Sequence, residues 1–136
     1  MCVSNDVTCA LPWLSCTLSA PWLSTPAFRL NGLDESIVLS NLQSHSQSVT
    51  VASGTPELKV TMVYRDPPGT TASSLHRINN LDLKVTAPDS TVYWGNNGLA
   101  AGNYSTSGGS ANSVDTVENV LLQNPTPGAW TIEVIA

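Results

Sequence analysis

Apolar residues recur at every second position in several short runs of this chain, and that period permits little except β-strands. Leu58, Val60, Met62 and Tyr64 alternate with Lys59, Thr61 and Val63. Leu81, Leu83 and Val85 alternate with Asn80, Asp82 and Lys84, and Trp130, Ile132 and Val134 alternate with Thr131 and Glu133. Successive side chains of a strand point to opposite faces, so each run predicts one face on a core and one in water. Shorter candidates lie at 36–40, at 46–52 with Val49 and Val51 on one face, at 91–94 and within 115–123. Turn clusters separate them: Ser53-Gly54-Thr55-Pro56, Asp66-Pro67-Pro68-Gly69 and Pro88-Asp89-Ser90. Proline cannot donate to a ladder, so these are stops. No segment carries a helical period. The expectation is an all-β fold, a jelly-roll or β-sandwich of antiparallel strands.

Charge and cysteine narrow the class. Charged residues make up 11% of the 136 residues, and the net charge is −5. Globular proteins average about 25% charged residues. Ser, Thr, Asn, Gly and Pro fill the gap, which suits a secreted, extracellular β-domain. Nucleic acid is excluded as a partner, because phosphate binding needs clustered Lys and Arg and the five basic residues are scattered. A membrane partner is not expected either: no apolar run approaches the roughly 20 residues of a spanning helix. Cys2, Cys9 and Cys16 lack the short hairpin spacing of a zinc site. No Lys or Arg precedes Arg29, so the basic start of a signal peptide is missing. The chain reads as a fragment of a larger secreted precursor, with 1–33 an irregular tail or linker and 34–136 the β-domain.

One succession of motifs is more specific. Asn79-Asn80-Leu81-Asp82-Leu83-Lys84-Val85-Thr86-Ala87-Pro88-Asp89-Ser90-Thr91-Val92-Tyr93 is followed by Val117-Glu118-Asn119-Val120 and then by Pro127-Gly128-Ala129-Trp130-Thr131-Ile132-Glu133-Val134. This resembles the β-jelly-roll domain that follows the catalytic domain of some secreted subtilisin-like serine proteases. Those domains carry an Asn-Asp-Leu-Asp-Leu strand, a Thr-Ala-Pro turn, and a closing Pro-x-x-Gly-x-Trp/Tyr-Thr-Ile-Glu-Val strand. The resemblance spans residues 35–136. It implies a non-catalytic accessory domain that stabilises a protease catalytic domain in cis, docking through 1–33 or the loop 95–113. The family adds a hairpin partner after the closing strand, so the end at Ala136 predicts an open final edge and self-association through it.

Calcium is the cofactor expected. It takes six to eight oxygen ligands, and related protease domains bind structural calcium in such loops. Asn80 and Asp82 share a face two residues apart, and Asp66 ends the preceding strand. Asp115, Glu118 and Asn119 open a later one, while Asn96 and Asn97 follow another. Asn80 stands where the family has a carboxylate, which lowers the site's charge. The competing structural role for Asp66 and Asn80 is ordinary hydrogen bonding to loop backbone.

Catalysis is not expected. His45 and His76 are available, but no Gly-x-Ser-x-Gly elbow and no subtilisin-like catalytic motif accompanies them. The alternative function is a carbohydrate- or surface-binding module, with Trp94 and Tyr104 as exposed ligand-binding aromatics. Trp130 is in phase with Ile132 and Val134 and belongs to the core. Asn103-Tyr104-Ser105 is a glycosylation sequon in a surface loop.

Overall fold

A computed structural model describes Cys2, Val3, Asn31, Gly32, residues 37–72, Ser74 and residues 77–136. Among these residues there is no helix. The strands are β1 (Cys2–Val3), β2 (Asn31–Gly32), β3 (Ser44–Val51), β4 (Glu57–Val63), β5 (Asp82–Thr86), β6 (Val92–Trp94), β7 (Val117–Gln123) and β8 (Gly128–Ile135). They build two antiparallel sheets, ordered β2-β1-β4-β7 and β3-β8-β5-β6. From β3 onward every connection except the β5–β6 hairpin passes from one sheet to the other. The fold is a β-sandwich.

The period of two sets the packing. Leu58, Val60 and Met62 of β4, with Val120 and Leu122 of β7, face Leu83 and Val85 of β5 and Trp130, Ile132 and Val134 of β8. Val51 and Ala87 complete the buried cluster, and Val49, Tyr64, Leu81 and Tyr93 pack against it. Trp130 is 2% exposed, its ring centroid lies 6.1 Å from that of Tyr93, and its indole N–H donates to the Thr126 carbonyl at 2.8 Å. That bond satisfies the one polar atom of the largest core residue.

Turn chemistry fixes the β5–β6 register. The amide of Ser90 donates to Ala87 O and that of Ala87 to Thr91 O, with Ser90 at φ 71°. The Asp89 carboxylate accepts the Thr91 amide at 2.9 Å. This is a tight turn followed by a left-handed residue, which suits the right-handed twist of the strands it joins. Thr91's amide holds the Asp89 carboxyl below its ordinary pKa.

Two expectations need correction. The closing strand is not an open edge: β8 is paired along its length with β3 on one side and β5 on the other. Self-association through an open final strand therefore loses its basis, because β8 has no free ladder to offer. Residues 37–40 form no strand, and residue 36 lies outside the described residues. Within 1–33 the described residues are those of β1 and β2, which extend the sheet beyond β4 at Val60 and Thr61. His76, Cys9, Cys16, Trp13 and Trp22 lie outside the described residues.

Trp130→Ala would empty the centre of this core. It should lower unfolding free energy by about 3–5 kcal/mol in urea titrations; a loss under about 1 kcal/mol would mean that Trp130 does not anchor the packing.

Candidate functional site

Glu118 lies in phase with Val120 and Leu122, so the period of two turns its carboxyl into the sandwich. It is 0% exposed and is the single buried charged residue among those described. Its Oε2 accepts the Leu83 backbone N–H at 2.8 Å. The β5–β6 register, continued by one pair, would bring that N–H to the carbonyl of residue 95. Gly95 still donates to Leu83 O at 2.9 Å, but the chain then leaves for the other sheet, where Asn96 N–H donates to Asn119 O at 2.8 Å. Glu118 thus supplies the acceptor that the ladder loses at the crossing.

Close approach at this point requires a glycine. A Cβ at position 95 would stand 2.7 Å from the Glu118 Cβ, closer than real Cβ atoms come. Glu118 Oε1 is buried and has no partner among the described residues. Burial pushes the Glu118 carboxyl up to about 7; the Leu83 amide opposes this, Asp82 and Asp115 add to it, and Arg77 lowers it. A neutral carboxylic acid is what such a site favours near neutrality.

The residues expected to gather around a cation divide into two hydrogen-bonded groups. In the first, Asp66 closes the 67–79 loop. Its Oδ2 accepts the Ile78 amide at 2.6 Å, and its Oδ1 accepts the Asn79 amide and side chain, both at 2.9 Å. Desolvation raises the Asp66 pKa, but these three bonds and the Arg77 guanidinium more than reverse it, leaving the carboxyl below its ordinary value. Asn80 accepts from Arg77 and donates to Asp82 Oδ1 at 2.9 Å.

In the second group, Asp115 Oδ2 accepts from Asn112 at 2.7 Å and from Asn96 at 3.1 Å. Asn119 faces away from the core, accepting from Thr61 Oγ at 2.9 Å and donating its amide N–H to Asn96 Oδ1. No three His, Cys, Asp or Glu side chains converge as a metal cage among the described residues. These oxygens serve loop and strand donors, the ordinary work of Asx residues.

The loop 95–113 is held by its own polar groups. The Asn97 amide donates to the carbonyls of Thr106 and Gly108 at 2.8 and 3.1 Å. Gly108 N–H donates to Val92 O, and Ser105 N–H to Leu121 O, both at 2.8 Å. The loop therefore lies along the outer edges of β6 and β7 together. An open hollow of about 500 Å³ lies at the Asp66 end, lined by Asp66, Pro67, Pro68, Arg77, Val114 and Asp115 among others. Beside it, exposed apolar residues concentrate: Val63 faces Val117 across β4 and β7, with Ile78 and Val114 at the neighbouring loop ends.

Trp94 and Tyr104 do not form one platform. Trp94 opposes Lys84 on the face of its sheet opposite to Tyr93, which packs inward. Tyr104 lies against the other sheet, where its hydroxyl donates to Glu57 Oε1 at 3.0 Å. That bond raises the Tyr104 pKa. Trp130 is core, as its phase predicts.

Comparison with protein-family models and with curated proteins finds no match for the chain.

Glu118 sets a measurable pH dependence. Its folded pKa is raised above 4.5, so the native state holds a proton that the unfolded chain releases. Stability then falls as pH rises from 4.5 to about 7 and is level above that. Asp66 and Asp89 act oppositely, their contribution being lost as pH falls below 3.8 through their depressed values. Glu118→Gln should remove the first dependence: the stability of the variant minus that of wild type should grow by about 1–3 kcal/mol across the window. A difference that is constant between pH 4.5 and 8 would show that Glu118 does not titrate there.

Proposed function

We propose that this chain is a non-catalytic accessory domain of a secreted subtilisin-like protease, which docks on the catalytic domain in cis and stabilises it. The observation that carries the reading is where the resembling segments fall. Asn79–Tyr93 supplies β5, its turn and β6, while Pro127–Val134 supplies β8. These strands are adjacent in one sheet, with Lys84 opposite Glu133 and their side chains 3.1 Å apart. Two of the three resembling segments thus pair within one sheet, and the third, Val117–Val120, opens β7 of the facing sheet; this placement supports the reading.

A docking face is available at the Asp66 end. Val63, Ile78, Val114 and Val117 are exposed there beside the open hollow. Scattered exposed apolar residues are normal, but a concentrated patch marks a contact surface. The loop 95–113 is less suited to docking, because its amides are spent on the edges of β6 and β7. A domain that binds a neighbour only in the folded form raises that neighbour's unfolding cost by mass action.

The test is the complete transcript. A subtilisin-like catalytic domain encoded in frame before residue 1 is expected, and deleting residues 34–136 should shorten its thermal inactivation half-life several-fold. A reading frame without such a domain, or a deletion that leaves the half-life unchanged, sinks the reading.

Structural calcium is a separable proposal resting on the same resemblance. The ion would have to displace the amide donors now on Asp66 and Asp115. A rise of several degrees in unfolding temperature with millimolar calcium, absent with magnesium and reversed by EGTA, is the required result. No shift removes calcium and leaves the accessory-domain reading standing.

A further inference from the structure

The edges of a sandwich decide what it can pair with, and here they are treated unequally. The outer edge of β7 is occupied by Asn96 and Ser105, and that of β6 by Gly108, all from one loop. On the other side of the sandwich, β3 is the outermost strand of its sheet. It runs eight residues, Ser44–Val51, and carries no Lys, Arg, Asp, Glu or Pro. The charge-free stretch extends from residue 36 to residue 56. Natural edges are normally blunted by charge, proline, a bulge or a cover.

The register shows which groups face outward. Ala136 N–H donates to Gln43 O, and the β3–β8 pairing continues from that pair to His45–Val134, Gln47–Ile132 and Val49–Trp130. Hydrogen-bonded pairs alternate with non-bonded ones in an antiparallel ladder. The odd residues of β3 are therefore bonded to β8. The N–H and C=O groups of Ser44, Ser46, Ser48 and Thr50 point away from it, without a backbone partner among the described residues.

We infer that β3 is a pairing edge for a second copy of this chain, forming an antiparallel β3–β3′ two-fold dimer. The strand is self-complementary in one register centred on Gln47. Ser44 then meets Thr50′ and Ser46 meets Ser48′ as hydrogen-bonded pairs, with Gln47 opposite Gln47′ and His45 opposite Val49′. All four outward-facing residues are matched. A two-fold axis normal to the sheet keeps the exposed Ser and Thr side chains on the outer face, and the half-buried His45, Gln47 and Val49 on the inner one. No like charges oppose each other. The contact is isologous and uses the same edge on both copies, so it closes at two. It is also small and polar, which places it among weak interfaces.

Sedimentation equilibrium tests this with the whole chain, from about 5 to 500 μM, a range suited to a weak interface. Wild type should show a monomer–dimer equilibrium. Ser46→Lys with Ser48→Lys places like charges opposite each other in the proposed register, and should weaken dimerisation at least about tenfold. Both side chains are exposed and position 46 lies opposite Glu133, so the lysine variant should stay folded with a urea midpoint no lower than that of wild type. The matching double glutamate variant should also be monomeric, and mixing the lysine and glutamate forms should restore dimer. A wild type that stays monomeric throughout overturns the inference, as does a lysine variant that dimerises as well as wild type. Monomeric variants that fail to pair on mixing overturn the proposed register.

Discussion

The hydrogen bond from the Leu83 amide to the Glu118 carboxyl stands where the two sheets exchange the chain. At that point β6 ends, its ladder with β5 loses an acceptor, and the chain crosses to bond β7 at Asn96 and Ser105. A buried amide without a partner costs about 1–3 kcal/mol. A side chain reaching across the core from the opposite sheet is one of few ways to avoid that cost. The solution brings its own cost, a carboxyl at 0% exposure with one oxygen unpartnered. The carboxyl therefore favours its proton, and Gly95 is required so that the backbone can pass over it.

Other features follow from that crossing. Because the chain leaves β6 at Gly95, its polar loop is free to seal two edges at once, bonding Val92 through Gly108 and Leu121 through Ser105. The opposite side of the sandwich ends in β3, whose outward amides at Ser44, Ser46, Ser48 and Thr50 have no backbone partner among the described residues. Among the described residues, one edge of the molecule is thus closed by its own chain and another is not.

The alternating runs were legible without coordinates, because burial in a sandwich repeats with the same period of two as the backbone. Leu58, Val60, Met62, Leu83, Val85, Trp130, Ile132 and Val134 are all buried in the phase that the pattern predicts. Glu118 was in the same phase, two residues before Val120, and that signal could have identified it as an inward-facing acid. By type a carboxylate is an oxygen donor for a cation; by its position in the alternation Glu118 points into the core. Asp66, Asn80 and Asp115 also look like ligands by type; in the structure Asp66 accepts the Ile78 and Asn79 amides across its loop, Asn80 bonds Arg77 and Asp82, and Asp115 accepts from Asn112 and Asn96.

The sequence by itself determined which residues face inward along each strand and where the strands stop. Those properties are local: a side chain's face depends on its neighbours two positions away, and a proline or glycine acts where it stands. Which strands lie side by side was decided only in the tertiary structure. The closing strand lies between β3 and β5, some eighty and fifty residues upstream in register, so its apparently open edge was filled by a segment no local pattern connects to it. The environment of Glu118 is of the same kind. Its raised proton affinity comes from burial in the surrounding apolar layer and then from Asp82, against the opposing Leu83 amide, and all of these are brought to it by the closure of the two sheets.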